Sequence, residues 1–155
     1  MKLNLYVYDS EKIEGGRGYF NLGLSNYETM EDFVDAGECE EIRLNSCINY
    51  VELPGIKTFL ENIISRMSYG GKLHLSSLDI FDLSKKIYFR QLTRDQCDDI
   101  VTYANSVLCQ GTANILSVEF LTKTLKELGL KILQKRNSHD KCHIVAEFPD
   151  PTQVQ

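Results

Sequence analysis

The chain has 155 residues, 43% of them hydrophobic and 25% charged, the make-up of a globular domain that can bury a core without crosslinks or metals. Seventeen lysines and arginines against 22 aspartates and glutamates leave a net charge of −5, the wrong sign for holding nucleic acid through an overall field. The five cysteines are odd in number with no C-x-x-C pair, as expected of reduced thiols in a cytoplasmic compartment, and no run of about 18 apolar residues offers a membrane span.

Leu3, Leu5 and Val7 alternate with Asn4, Tyr6 and Tyr8, the period of two that marks a strand over 3–8. Glu14-Gly15-Gly16-Arg17-Gly18 breaks the pattern and, without a Lys-Ser/Thr ending, reads as a turn rather than a phosphate loop. A second strand is expected over 19–24. Residues 28–41 then carry seven acids and no base, which suits a short helix around Met30, Phe33 and Val34 with a solvated acidic face.

A third strand is expected at 41–46. Beyond it Ile56, Phe59, Leu60, Ile63, Ile64 and Met67 form one helical stripe, opened by Pro54 and expected to stop at Gly70-Gly71. Lys72–Leu78 follows as a strand, completing a βαβ crossover. Helices are expected over 82–89 and 95–108. A last helix starts near Ser117, with Val118, Leu121, Leu125 and Leu128 inward, Glu119 four residues before Lys123, and Gly129 as its cap. Strands over 130–136 and 142–148, joined at Asn137-Ser138-His139-Asp140, close the chain. This order implies an α/β fold: a Rossmann-like, mostly parallel sheet of about six strands with a C-terminal antiparallel hairpin and helices on both faces. Residues 1–149 form one domain and 150–155 a loose tail.

Few residue clusters suggest chemistry. His139, Asp140, Cys142 and His143 are close in sequence, but neighbouring strand residues point to opposite faces, so no metal site is expected there. Cys47 has no basic partner near it in sequence and reads as a structural thiol. The eight tyrosines are candidate interface anchors. Lys123, Lys126, Lys131, Lys135, Arg136 and Lys141 make a basic end to balance the acidic 28–41 segment, a dipolar distribution able to steer a partner.

Several segments, in order, resemble the class I S-adenosylmethionine-dependent methyltransferases, specifically the small type that begins Leu-Asn-Leu-Gly-Cys-Gly-Asp. Leu3-Asn4-Leu5 and Asp9 match its first strand and the acid behind it, and Tyr19-Phe20-Asn21-Leu22 its second strand. Glu41-Ile42-Arg43-Leu44-Asn45-Ser46 is similar to its fourth. Phe59–Met67 with Gly70-Gly71-Lys72-Leu73-His74-Leu75 is similar to the helix and strand that carry its Pro-Gly-Gly-x-Leu-x-Ile signature, and Phe120–Gly129 and the hairpin resemble its ending.

The resemblance implies S-adenosylmethionine as cofactor, with contacts from Leu5, Tyr6, Asp9, Asn21, Asn45 and Ser46 if the site functions. The departures argue against function. Tyr6-Val7-Tyr8 stands where the family's glycines let the backbone approach the cofactor. Gly23 stands where its second strand ends in a ribose-binding acid, and Asn49 and Tyr50 where it has an acid and a histidine. Residues 24–40 are also too few for a third strand with its helix. The expectation is therefore a non-catalytic methyltransferase-like module without cofactor, catalytic residue or metal. It would act through a protein partner or as a homo-oligomer, with no nucleic-acid or membrane partner, and it is similar to small truncated versions of the fold that bacteriophages encode. The alternative is an active methyltransferase of unknown acceptor.

Overall fold

The computed structural model describes residues 1–7, 17–79, 84–85, 88–89, 93, 95, 116–138 and 141–153. Tyr8, Asp9, the turn at 14–16 and most of the helices expected over 82–89 and 95–108 lie outside the described residues. Six strands, β1 (Lys2–Tyr6), β2 (Tyr19–Gly23), β3 (Cys39–Asn45), β4 (Met67–Leu78), β5 (Lys131–Ser138) and β6 (Lys141–Glu147), make one sheet in the order β2-β1-β3-β4-β6-β5. Strands β1 to β4 pair in parallel, and β6 runs antiparallel to both β4 and β5, so only the last strand is reversed. Between β2 and β3 the chain makes a 3₁₀ helix over Leu24–Asp32 and no strand, which leaves β2 at the sheet edge. Met30 and Val34 are buried as expected, whereas Phe33 is 54% exposed and packs its ring 5.8 Å from that of Phe20.

Helices α1 (Ile56–Ser65) and α2 (Val118–Glu127) follow their apolar stripes. Ser117 caps α2 by accepting the Phe120 N–H at 3.1 Å, and Gly129 ends it with φ +88°. Within α2, Lys123 Nζ reaches Glu127 at 3.9 Å.

One boundary differs from the sequence reading. Helix α1 stops at Ser65, where the Arg66 N–H turns back to the Ile63 carbonyl, and Gly70-Gly71 lie inside β4 rather than at the helix end. Their role is close approach: a Cβ on Gly71 would stand 2.7 Å from the Ser68 carbonyl oxygen and 3.0 Å from that of Cys39. Gly70 sits at φ +77°, and the β3–β4 register shifts between Cys39 and Glu41 at this point.

The register sorts the side chains into two unlike faces. Leu3, Leu5, Ile42, Leu44, Leu73, Leu75, Ile144 and Ala146 are all at most 2% exposed and share one core with Ile56, Phe59, Leu60, Ile63 and Ile64 of α1 and Leu121 and Leu125 of α2. The other face is polar. One row across it reads Tyr19, Lys2, Glu41, Lys72, Glu147, Lys131, so that from β1 to β5 the charge alternates at every strand.

Candidate functional site

In a parallel α/β sheet, ligands bind beyond the carboxyl ends of the strands. Tyr6, Gly23, Asn45 and Ser76 mark those ends on the polar face. At the end of β2, Ser25 Oγ lies 3.5 Å and Cζ and the hydroxyl of Tyr6 lie 3.7 Å from where a Cβ on Gly23 would stand. A tyrosine ring therefore occupies the space beside the residue that has no side chain of its own.

Behind Tyr6 runs an asparagine ladder. Asn45 Nδ2 donates to Asn4 Oδ1 at 2.8 Å, and Asn4 Nδ2 donates to Asn21 Oδ1 at 2.8 Å. The structure thus joins Asn21 and Asn45, two residues singled out from the sequence, through Asn4, which the sequence reading missed and which is fully buried. The signal was in the sequence as an asparagine between two core leucines at the centre of β1, but only the strand pairing shows what it connects. Leu5 turns its side chain into the apolar core, so only its backbone faces the strand ends. Ser46 is buried, adopts φ +57°, and donates its N–H to the carbonyl and Oγ of Ser76, both at 3.2 Å. Asp9 is outside the described residues. Asn49 is a brace: its Nδ2 donates to Ser77 Oγ at 3.0 Å and its Oδ1 accepts the Leu78 N–H at 3.1 Å.

At the amino ends, Glu41 gathers the charges of the polar face. It accepts the Tyr19 hydroxyl and lies 3.4 Å from Lys2 Nζ, 3.2 Å from Arg43 Nε and 3.4 Å from His74 Nε2. Burial opposes its ionisation, but the donors from Tyr19, Arg43, His74 and Lys2 outweigh that and hold the carboxyl below its ordinary value. Burial, then the hydrogen bond and charge of Glu41, push the Tyr19 hydroxyl up to about 12. Burial also lowers His74, against the pull of Glu41 and with the push of Arg43 and Lys72. Cys142 is buried on the apolar face and His143 lies on the polar one, so the two diverge as their adjacency required. Burial pushes the Cys39 and Cys142 thiols up to about 11, which keeps them protonated and unreactive.

Neither a family sequence model nor a curated protein sequence matches this chain. Solved structures do. An O-methyltransferase family protein from Burkholderia thailandensis superposes on 97% of the chain with a TM-score of 0.60 at 12% identity. A SAM-dependent methyltransferase from Archaeoglobus fulgidus covers 94% with a TM-score of 0.56 at 12% identity. Burkholderia thailandensis 1,6-didemethyltoxoflavin-N1-methyltransferase, solved with 1,6-didemethyltoxoflavin and S-adenosylhomocysteine bound, covers 96% with a TM-score of 0.58 at 8% identity. The fold is that of the class I S-adenosylmethionine-dependent methyltransferases. This chain spans 44%, 75% and 71% of those three proteins, respectively, so it is less than half the length of the first.

The resemblance calls for a bare backbone after β1 and a carboxylate at the end of β2. Here the end of the Tyr6 ring lies 3.7 Å from the Cβ position of Gly23, and Gly23 offers no carboxylate. A cleft of about 540 Å³ opens between residues 24–28 and 50–59, with Glu28 as the carboxylate among its described lining residues. Among the described residues no helix is long and apolar enough to cross a membrane.

Proposed function

We propose that this protein keeps the methyltransferase fold for its surface, as a non-catalytic interaction or assembly module that docks on a protein partner or a second copy of itself. The observation that carries the reading is the pairing of Tyr6 with Gly23, the ring end 3.7 Å from that Cβ position, where the resemblance calls for a bare backbone and a carboxylate. The position of β2 at the edge of the sheet among the described strands and the exposed rings of Phe20 and Phe33 support the associative half, since strand edges and apolar rings are what a partner covers. The free, buried thiols of Cys39, Cys47 and Cys142 suit a reducing compartment such as the cytoplasm.

The test is a thermal melt in millimolar S-adenosylmethionine. A ligand at 100 times its dissociation constant adds about 2.7 kcal/mol, several degrees for a domain of this size. No shift is expected. A saturable upward shift would return the protein to the active methyltransferases, and its loss in Glu28→Gln would locate the cofactor in the cleft beside residues 24–28.

A further inference from the structure

The two edges of the sheet differ in charge, and each carries exposed apolar side chains. At one edge β2 holds no charged residue, Phe20 and Phe33 are 37% and 54% exposed, and the chain after it presents Glu28, Asp32 and Asp35 to solvent. The segment bearing these acids is held beside the edge: the Phe33 and Phe20 rings meet tilted with centroids 5.8 Å apart, and Glu31 takes Arg66 Nη2 at 2.8 Å. At the far edge β5 presents Lys131, Lys135 and Arg136 together with Leu133, which is 43% exposed at a shift in the strand register. Phe120, 41% exposed, is on α2, the helix that contacts that strand.

We infer that copies of this chain associate head to tail, with the basic β5 edge of one against the acidic β2 edge of the next, so that the sheet continues from molecule to molecule. This rests on the associative reading above and names its occupant as a second copy. Of the three ways two such edges can meet, β2 with β2 sets acid against acid and β5 with β5 sets base against base; only β2 with β5 pairs opposite charges. Strands β2 and β5 point the same way in the sheet, so copies in a common orientation pair these edges in parallel. The interface is heterologous, and it grows until a ring closes or continues as a filament.

Sedimentation velocity across protein concentration, at about 50 mM and then about 500 mM salt, reads the assembly, because exposed charges are screened within about 10 Å at 0.1 M. Species larger than a dimer are expected at low salt and their loss at high salt. Two charge-reversed variants sharpen the result: Glu28→Lys with Asp32→Lys and Asp35→Lys, and Lys131→Glu with Lys135→Glu and Arg136→Glu. Each alone should remain monomeric, with an unchanged circular dichroism spectrum to show that it folds, and an equimolar mixture should assemble again. A closed, salt-insensitive dimer, or variants that assemble as the parent does, would overturn the head-to-tail arrangement while leaving the associative reading in place. A monomer under all these conditions would overturn self-assembly, and only cofactor binding in the melt would overturn the associative reading itself.

Discussion

The two faces of this sheet follow different rules. Parallel strands in doubly wound folds are usually apolar on both sides, because helices cover both. Here β1 and β3 alternate: Leu3, Leu5, Ile42 and Leu44 are fully buried under the helices, while Lys2, Glu41, Arg43 and Asn45 form a hydrogen-bonded and ion-paired surface on the reverse. The apolar face is held by area and packing, which depend on no particular partner. The polar face depends on register, since Glu41 meets Lys2 and His74 only when β1 and β4 bring them to its level.

That contrast can be broken most severely on the apolar side. Leu44→Ala, at a fully buried central position, should cost about 2–5 kcal/mol in urea unfolding through lost transfer energy and the cavity left behind. A cost below about 1 kcal/mol would mean that this face is not the core.

On the polar side, Glu41→Gln should cost about 2 kcal/mol, the scale of hydrogen bonds to a charged group, because Lys2, Arg43 and His74 all turn toward it. Its effect must depend on pH. The folded-state carboxyl titrates below the ordinary 4.5, so its contribution is present above that value and is lost as pH falls through the lower folded value. His74 is lowered from 6.5, so folding favours its neutral form, and stability starts to fall as the pH drops below 6.5. Melting temperatures should therefore decline in two stages on acidification, and Glu41→Gln should abolish the lower stage while deepening the upper one, because Glu41 no longer favours the charged form of His74. A variant that keeps both stages would remove Glu41 from the account.

The smallest effect is expected at Asn4→Ala, about 1–2 kcal/mol, because Asn21 and Asn45 lose a shared partner but are themselves partly open to water. Asn4→Leu should be no better tolerated if the ladder sets the register of β1. If Asn4→Leu stabilised the protein, the polar face would be an accident of composition.

Much of the architecture was legible in local pattern. The stripe from Ile56 to Ile64, the Ser117 cap, the terminal hairpin and the missing strand between Gly23 and Glu41 each depend on residues within a few turns of one another, and the structure has all four. The stop at Gly70-Gly71 was misplaced because glycine ends helices and also permits close backbone approach. Which applies is decided by Cys39, whose carbonyl leaves no room for a Cβ on Gly71. At the candidate site Tyr6 and Gly23 were conspicuous as departures from the family pattern, and Asn21 and Asn45 as polar residues at strand ends. Asn4 was hidden, since a single asparagine in an apolar strand does not announce two partners that lie 17 and 41 residues away.

By itself the sequence determined the alternation within each strand, the apolar stripe of each helix and the opposite charges of its acidic and basic segments, all properties of neighbouring residues. Only the tertiary structure decided that Glu41 meets Lys2, Arg43 and His74, that Tyr6 covers Gly23, and that the acidic and basic segments come to opposite edges of one sheet. The physical reason is that strand order and register are set by pairing between distant segments, and a shift of one residue would have turned the same side chains to the other face.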